Sequence, residues 1–406
     1  MVQKGDKMGN IDKIFDSVED RCLFKNKQIL QSNYSPEEIP HREKEIEHIA
    51  SILAPSILGQ KTSNLFVYGK TGTGKTLCIQ HVANKLNERV KNSKILRIEY
   101  VNCKLKKIAD TEYRIFAELI KKLGGNVPAT GLPTDQVYRK FLDLLDRSEE
   151  KLFIFILDEI DQAVKKISDD FLYNLMRLNS ELDEVQISVI GISNDVKFLE
   201  MIDPRVKSSL SEEEIVFHAY NALQLQDILR KRATDAFKPG VVSEGVISKC
   251  AAYAAREHGD ARRALDLLRV AGEIAERESS KKIEIKHIDM ANDKIERDKI
   301  LDIIENAPKQ FQLVLFAMLE LNKNSKSIFT GDIYSYYQDL CKKVNIEVLT
   351  QRRVSDIIAD FDMLGLINAR VISKGRQGRM REIRLAIPDN IVNRAREILV
   401  ESIDLF

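Results

Sequence analysis

The apolar and polar positions of this 406-residue chain change their rhythm twice, and each change marks a different kind of structure. Over residues 61–220, short apolar runs alternate with amphipathic stretches. Residues 64–68, 95–102, 152–157, 185–193 and 215–219 read as strands, and 76–90 and 110–123 carry helical spacing. The run 152–157 is apolar at every position, as a strand covered on both faces is. Strands alternating with helices predict an α/β fold with a parallel sheet and helices on both of its faces.

After residue 220 the strands stop. Helical patterns over 223–237, 243–257 and 262–278, punctuated by Pro239-Gly240 and Gly259-Asp260, predict a small all-helical domain. The remainder carries helical patterns over 309–321, 330–344 and 350–364. Two alternating runs follow, 366–373 and 381–387, around the turn Lys374-Gly375-Arg376-Gln377-Gly378. Helices followed by a basic hairpin predict a winged helix. The expected organisation is an N-terminal extension (1–34), an α/β domain (35–220), a helical domain (221–297) and a winged helix (298–406).

Composition narrows the class. With 44% hydrophobic and 31% charged residues, and no apolar run long enough to span a bilayer, the chain reads as a water-soluble protein without a membrane partner. The N-terminus lacks the apolar core of a secretory signal, so a cytoplasmic location is expected. Cys22, Cys78, Cys103, Cys250 and Cys341 lie far apart, which predicts neither a zinc site nor a disulfide framework. Net charge is only +1. The hairpin is different: Arg370, Lys374, Arg376, Arg379, Arg381 and Arg384 share it with one acid, Glu382, a local patch of the kind that binds nucleic acid.

The sharpest chemistry is Gly69-Lys70-Thr71-Gly72-Thr73-Gly74-Lys75-Thr76, which fits G-x-x-x-x-G-K-[ST] at every position. Its glycines let backbone N–H groups curl around phosphates at the positive end of the following helix. Lys75 is placed to reach the β- and γ-phosphates of ATP, and Thr76 to ligate magnesium. The second piece, Asp158-Glu159, leaves the C-terminal end of the buried strand beside that loop. Asp158 would hold the magnesium with Thr76, and Glu159 would orient the attacking water.

These residues resemble those of the AAA+ ATPases. In that family, Asn194 after the strand 185–193 takes the position of sensor 1, reading the γ-phosphate. Gly259-Asp260-Ala261-Arg262-Arg263 resembles sensor 2, with Arg262 reaching the phosphates from a lid formed by the helical domain. The resemblance narrows at Ile39-Pro40-His41-Arg42-Glu43, at 203–210 and at 217–225, all similar to archaeal initiators related to the origin recognition complex. It implies that Pro40, His41 and Arg42 lie at the nucleotide, and that Tyr220 and Arg232 contact it from the domain junction. One departure stands out. AAA+ proteins that hydrolyse ATP in rings often carry Ser-Arg-Phe as an arginine finger; here the place reads Ser208-Ser209-Leu210, with only Arg205 and Lys207 nearby. The expectation is weak ATPase activity that serves as a switch.

In a winged helix, Gln351, Arg352 and Arg353 would open the helix that reads duplex DNA, while Lys374, Arg376, Gln377, Arg379 and Arg381 form the wing. The resemblance adds a second DNA contact from a helical insertion over 104–133, which carries Lys104, Lys106, Lys107, Lys121 and Lys122; charge alone reads that insertion as a solvated helix. It also implies origin binding, help in loading the replicative helicase (MCM), and related initiators on the same origin. A clamp-loader-like or remodelling ATPase stays open as an alternative, as does a signalling ATPase with a protein-binding winged helix.

Overall fold

The computed structural model describes residues 22–403 apart from 92, 105–110, 129–130, 183, 324–326 and 374–378. Two compact units divide the chain between residues 288 and 289.

In the first unit, α1 (Glu43–Leu53) precedes β1 (Leu65–Gly69), α2 (Lys75–Val90) and β2 (Leu96–Asn102). Then come α3 (Glu112–Lys122), α4 (Thr134–Asp146), β3 (Leu152–Asp158), α5 (Ile160–Ile167), α6 (Asp170–Arg177), β4 (Gln186–Ser193), α7 (Pro204–Leu210) and β5 (Glu213–Phe217). The five strands pair in parallel in the order β2-β3-β4-β1-β5. Every residue of β3 is buried. Phe153, Phe155 and Leu157 pack with α3 and α4 on one face, and Leu152, Ile154 and Ile156 pack with α2 on the other. The expected α/β sheet, covered on both faces, is present. Register aligns Asn102 with Asp158 and Asp158 with Ile192, so the C-terminal ends of β2, β3 and β4 lie in line. β5 stops at Phe217, two residues earlier than its pattern predicts, because the His218 carbonyl turns to the Arg42 guanidinium (2.5 Å).

The helical part of this unit contains α8 (Ala222–Ala236), α9 (Val246–Arg256) and α10 (Ala261–Arg277). Asn221 and Gln224 form a capping box on α8, and the Asp260 carboxylate caps α10 by accepting from the N–H groups of Arg262 and Arg263. The stretch just before residue 34, read as an extension, straps onto these helices. Lys25 and Asn26 N–H donate to the Ala236 carbonyl (2.7 and 3.0 Å), and Phe24 lies against Phe237 with ring centroids 4.7 Å apart. Helix α11 (Ile285–Glu305) has no glycine or proline to interrupt it and runs through residues 297 and 298, where the sequence pattern placed a boundary.

The second unit holds α12 (Lys309–Asn322), β6 (Ile328–Phe329), α13 (Thr330–Lys343), α14 (Gln351–Met363), β7 (Ile367–Ser373), β8 (Arg379–Leu385) and α15 (Asp389–Ser402). Eight consecutive residues of α12, Gln312 through Leu319, are buried, so this helix is the centre of the core. The antiparallel sheet β6-β8-β7 completes a winged helix, with β6 and α15 as elements that the patterns did not predict. No helix among the described residues is long and apolar enough to cross a membrane.

Candidate functional site

Between β1 and α2 the phosphate loop takes backbone angles that favour glycine, φ +70° at Gly72 and +94° at Gly74. Gly72 has a second reason to lack a side chain, because a Cβ there would overlap the Asp260 carboxylate. Lys75 is only 4% exposed, and its Nζ donates to the carbonyls of Gly69 and Lys70, both at 2.8 Å. Burial pulls its pKa down to about 8; Arg262 adds to the fall, and Asp158, Asp161 and Asp260 oppose it. The imbalance is roughly 3 kcal/mol against the charged form. A cation held at that cost is poised to gain from an incoming anion.

Asp158, 5% exposed, gathers three donors. Its Oδ2 accepts from the Thr76 hydroxyl (2.9 Å) and the Tyr100 hydroxyl (2.7 Å), and its Oδ1 from the Glu159 N–H (2.9 Å). Glu159 itself sits in the left-handed region at φ 53°, a strained conformation for a non-glycine residue, and its carboxylate lies 3.4 Å from Lys104 Nζ. Asp161, 2% exposed, accepts from Ser193 Oγ (3.0 Å) and the Asn194 N–H (3.4 Å). That pair fastens the end of β4 to the first turn of α5 and so fixes where Asn194 stands.

Most of the residues singled out in the sequence for the nucleotide converge on one cavity of about 730 Å³. Its lining includes Pro40, Gly72, Gly74, Lys75, Thr76, Asp158, Glu159, Asn194, Tyr220, Arg232 and Arg262. Gly69 and Thr73 are not in its lining, and Lys70 and Thr71 border a smaller recess of about 160 Å³ with His258 and Asp260. His41 and Arg42 are not in the lining either. His41 Nε2 faces Asp227 at 3.2 Å, and Arg42 is buried behind the loop, where Nε donates to the Thr73 carbonyl at 3.0 Å. Of the two lid arginines, Arg262 lines the cavity while Arg263 lies 3.1 Å from Glu257. Arg232 lies over the Tyr34 ring (4.6 Å), and burial pushes the Tyr220 phenol up to about 12, with Arg42 opposing.

Sequence reasoning missed several wall residues. Tyr100 and Asn102 line the cavity from the C-terminal end of β2, a place where polar residues of a parallel sheet meet ligands. Gln31 and Tyr34 line it from the segment read as an extension, and Glu37 from the start of the α/β domain, a stretch with no periodicity to betray it.

In the second unit, Gln351, Arg352 and Arg353 are all exposed in the first turn of α14, which Thr350 caps. Arg353 lies 3.9 Å from Asp356. Arg381 is half-buried and donates to the Ser355 carbonyl (3.4 Å), tying β8 to α14. Arg379 pairs in register with Ser373 at the start of β8, whereas Lys374, Arg376 and Gln377 lie outside the described residues, as do Lys106 and Lys107. Where a ring ATPase would carry its finger, Arg205 is engaged bidentately by Asp203 (3.0 and 3.1 Å) and lies over the Tyr173 ring.

Comparison with known proteins now adds to this geometry. Family models match the chain as an AAA ATPase domain over residues 38–190, a Cdc6 AAA+ ATPase-type lid domain over 226–293 and a CDC6 C-terminal winged helix domain over 302–395. The chain is 50% identical over 385 residues to the ORC1-type DNA replication protein of Pyrococcus abyssi, covering 93% of this chain and 91% of that one. It is 48% identical over 386 residues to the ORC1-type DNA replication protein 1 of Sulfurisphaera tokodaii, covering 95% and 96%. Among solved structures, the Aeropyrum pernix ORC1 protein in complex with DNA is 42% identical, with a TM-score of 0.83 over 93% of this chain and 97% of that one. With that identity running through its sheet, lid and winged helix alike, the chain belongs to the family of ORC1-type DNA replication proteins, AAA+ ATPases that end in a winged helix.

Proposed function

We propose that this chain is an ATP-dependent replication initiator that binds origin duplex DNA through its winged helix and its AAA+ domain and helps load the replicative helicase (MCM). One observation carries the reading. Lys75, the Thr76–Asp158 pair, Asn194 and Arg262 converge on a single cavity in a chain 42% identical to a protein solved in complex with DNA.

In this reading the loop amides and Lys75 hold the phosphates, and Glu159 orients the attacking water once it leaves Lys104. Asn194 and Arg262 read the γ-phosphate from the sheet and the lid, and Pro40, Tyr220 and Arg232 contact the nucleotide at the domain junction. The hydroxyl of Thr76 and the carboxylate of Asp158 are hard oxygen donors on neighbouring elements, a set that fits magnesium. A magnesium ion held there would neutralise charge on the phosphates. Loss of the γ-phosphate would release Arg262 and relax the lid, which makes the site a switch. The absent Ser-Arg-Phe finger, and an Arg205 already engaged by Asp203, support slow turnover.

At the DNA, Gln351, Arg352, Arg353 and Arg381, with Arg379 and the wing residues Lys374, Arg376 and Gln377, supply contacts to bases and phosphates. Related initiators would share the origin, in the cytoplasm at the nucleoid. The test is ATP turnover measured alone, with duplex DNA, and with a sliding clamp. Slow turnover indifferent to the clamp supports a switch; fast turnover stimulated by the clamp, with no preference among duplexes, identifies a clamp loader instead.

A further inference from the structure

A phosphate cradle turns its amide N–H groups inward, so its carbonyls face outward and need donors of their own. Two consecutive carbonyls of this loop find theirs outside the sheet. The Gly72 carbonyl accepts from the N–H of Ala261, the first residue of lid helix α10, at 3.2 Å. The Thr73 carbonyl accepts from Arg42 Nε at 3.0 Å.

Arg42 reaches further. Its Nη2 donates to the His218 carbonyl (2.5 Å), Nε is shared with the Tyr220 hydroxyl (3.1 Å), and Nη1 donates to Glu45 in the first turn of α1, the helix that follows it (2.6 Å). The guanidinium also lies over the Tyr220 ring at 4.1 Å and the Phe217 ring at 5.1 Å. Residues 218–220 join β5 to the lid, so one side chain grips both the back of the cradle and the hinge. It is 4% exposed and absent from the cavity lining, and its partners already take all three of its nitrogens.

We infer that Arg42 is a positioning residue that fastens the phosphate loop to the lid's hinge, coupling the shape of the cradle to lid closure before any nucleotide arrives. Asp260 completes the fastening from the lid side, because its carboxylate caps α10 while lying against Gly72. Arginine is required for the geometry: its rigid fork addresses several acceptors and stacks on the rings at once, whereas a lysine ammonium is a single flexible point. The gripped carbonyls belong to the loop that holds the phosphates shared by ATP and ADP. Loosening them therefore weakens both nucleotides equally, unlike loss of a γ-phosphate reader.

The test is amide hydrogen exchange on the nucleotide-free full chain carrying Arg42→Lys, alongside Glu45→Gln, a milder change outside the cavity. Exchange should accelerate together in residues 69–76 and 259–265, about tenfold in Arg42→Lys and less in Glu45→Gln, with β3 unchanged. In Arg42→Lys, the Kd values of ATP and ADP should rise by the same factor, about tenfold. The nucleotide arm rests on the proposed ATP site, whereas the exchange arm uses no nucleotide and so fails separately. Acceleration confined to α1, acceleration spread through β3 in both variants, or weakening of ATP without ADP would each overturn the inference.

Discussion

The proposed function assigns Lys75 to the phosphates of the nucleotide and Arg352 to the DNA, yet the protein keeps these two cations in opposite surroundings. Lys75 is 4% exposed, bonded to two backbone carbonyls, and depressed in pKa by its own burial. Arg352 stands exposed in the first turn of α14 and makes no ion pair among the described residues. The buried cation acts through geometry and desolvation, so one side chain decides the outcome. The exposed cations act as a set, each contributing a modest and salt-dependent share.

The largest expected effect is at the buried end. Lys75→Ala should weaken ATP binding about a hundredfold or more, the cost of emptying a desolvated charge site, while DNA affinity without nucleotide stays near wild type. Equilibrium titration with a fluorescent nucleotide checks the first half and anisotropy on duplex the second; loss of both together would break the contrast. Next comes the exposed set. The double variant Arg352→Ala, Arg353→Ala should lower duplex affinity about tenfold or more and flatten the plot of log affinity against log salt by about 2, with ATP binding unaffected. An unchanged salt slope would remove these residues from the phosphate backbone.

Arg262→Ala sharpens the buried side. It should cost ATP about tenfold in affinity and leave ADP nearly untouched, because its proposed partner is the γ-phosphate. Equal losses for the two nucleotides would place Arg262 elsewhere. The smallest effect is in pH. Lys75 has a folded-state pKa lowered to about 8, so below that pH the fold carries the full cost of the buried charge. The cost is relieved as pH rises from about 8 toward the unfolded value of 10.5, and this contribution to stability grows with pH across that window. Nucleotide binding needs the charged lysine and runs the other way, so affinity should fall about fivefold to tenfold between pH 7.5 and 9. A flat profile by calorimetry would contradict the burial argument.

The same contrast explains what could be read from the sequence. The phosphate loop and β3 were legible because their physics is local: glycines where the backbone needs positive φ, and an unbroken apolar run where both faces are covered. Asp158 follows from its place at the end of β3, and Asn194 from the family resemblance at the end of β4. Tyr100 was not legible, since a tyrosine within a strand reads as core until register brings its hydroxyl to Asp158. Gln31 and Tyr34 reach the cavity only because Phe24 and Lys27 strap their segment to the lid, a long-range arrangement with no local signature. Arg42 shows the limit most clearly. The resemblance places Arg42 itself at the nucleotide, but its donors point to the Thr73 and His218 carbonyls. The helix Ile285–Glu305 is the opposite case, since it runs through residues 297 and 298 with no glycine or proline to interrupt it.

One measurement bears most directly on the account: a quantitative footprint of the full chain with ATP on origin duplex DNA, against a scrambled duplex of the same length at the same salt. The account predicts protection of a defined site at a concentration about a thousandfold lower than that needed to cover the scrambled duplex. Protection of both duplexes at the same concentration would contradict it.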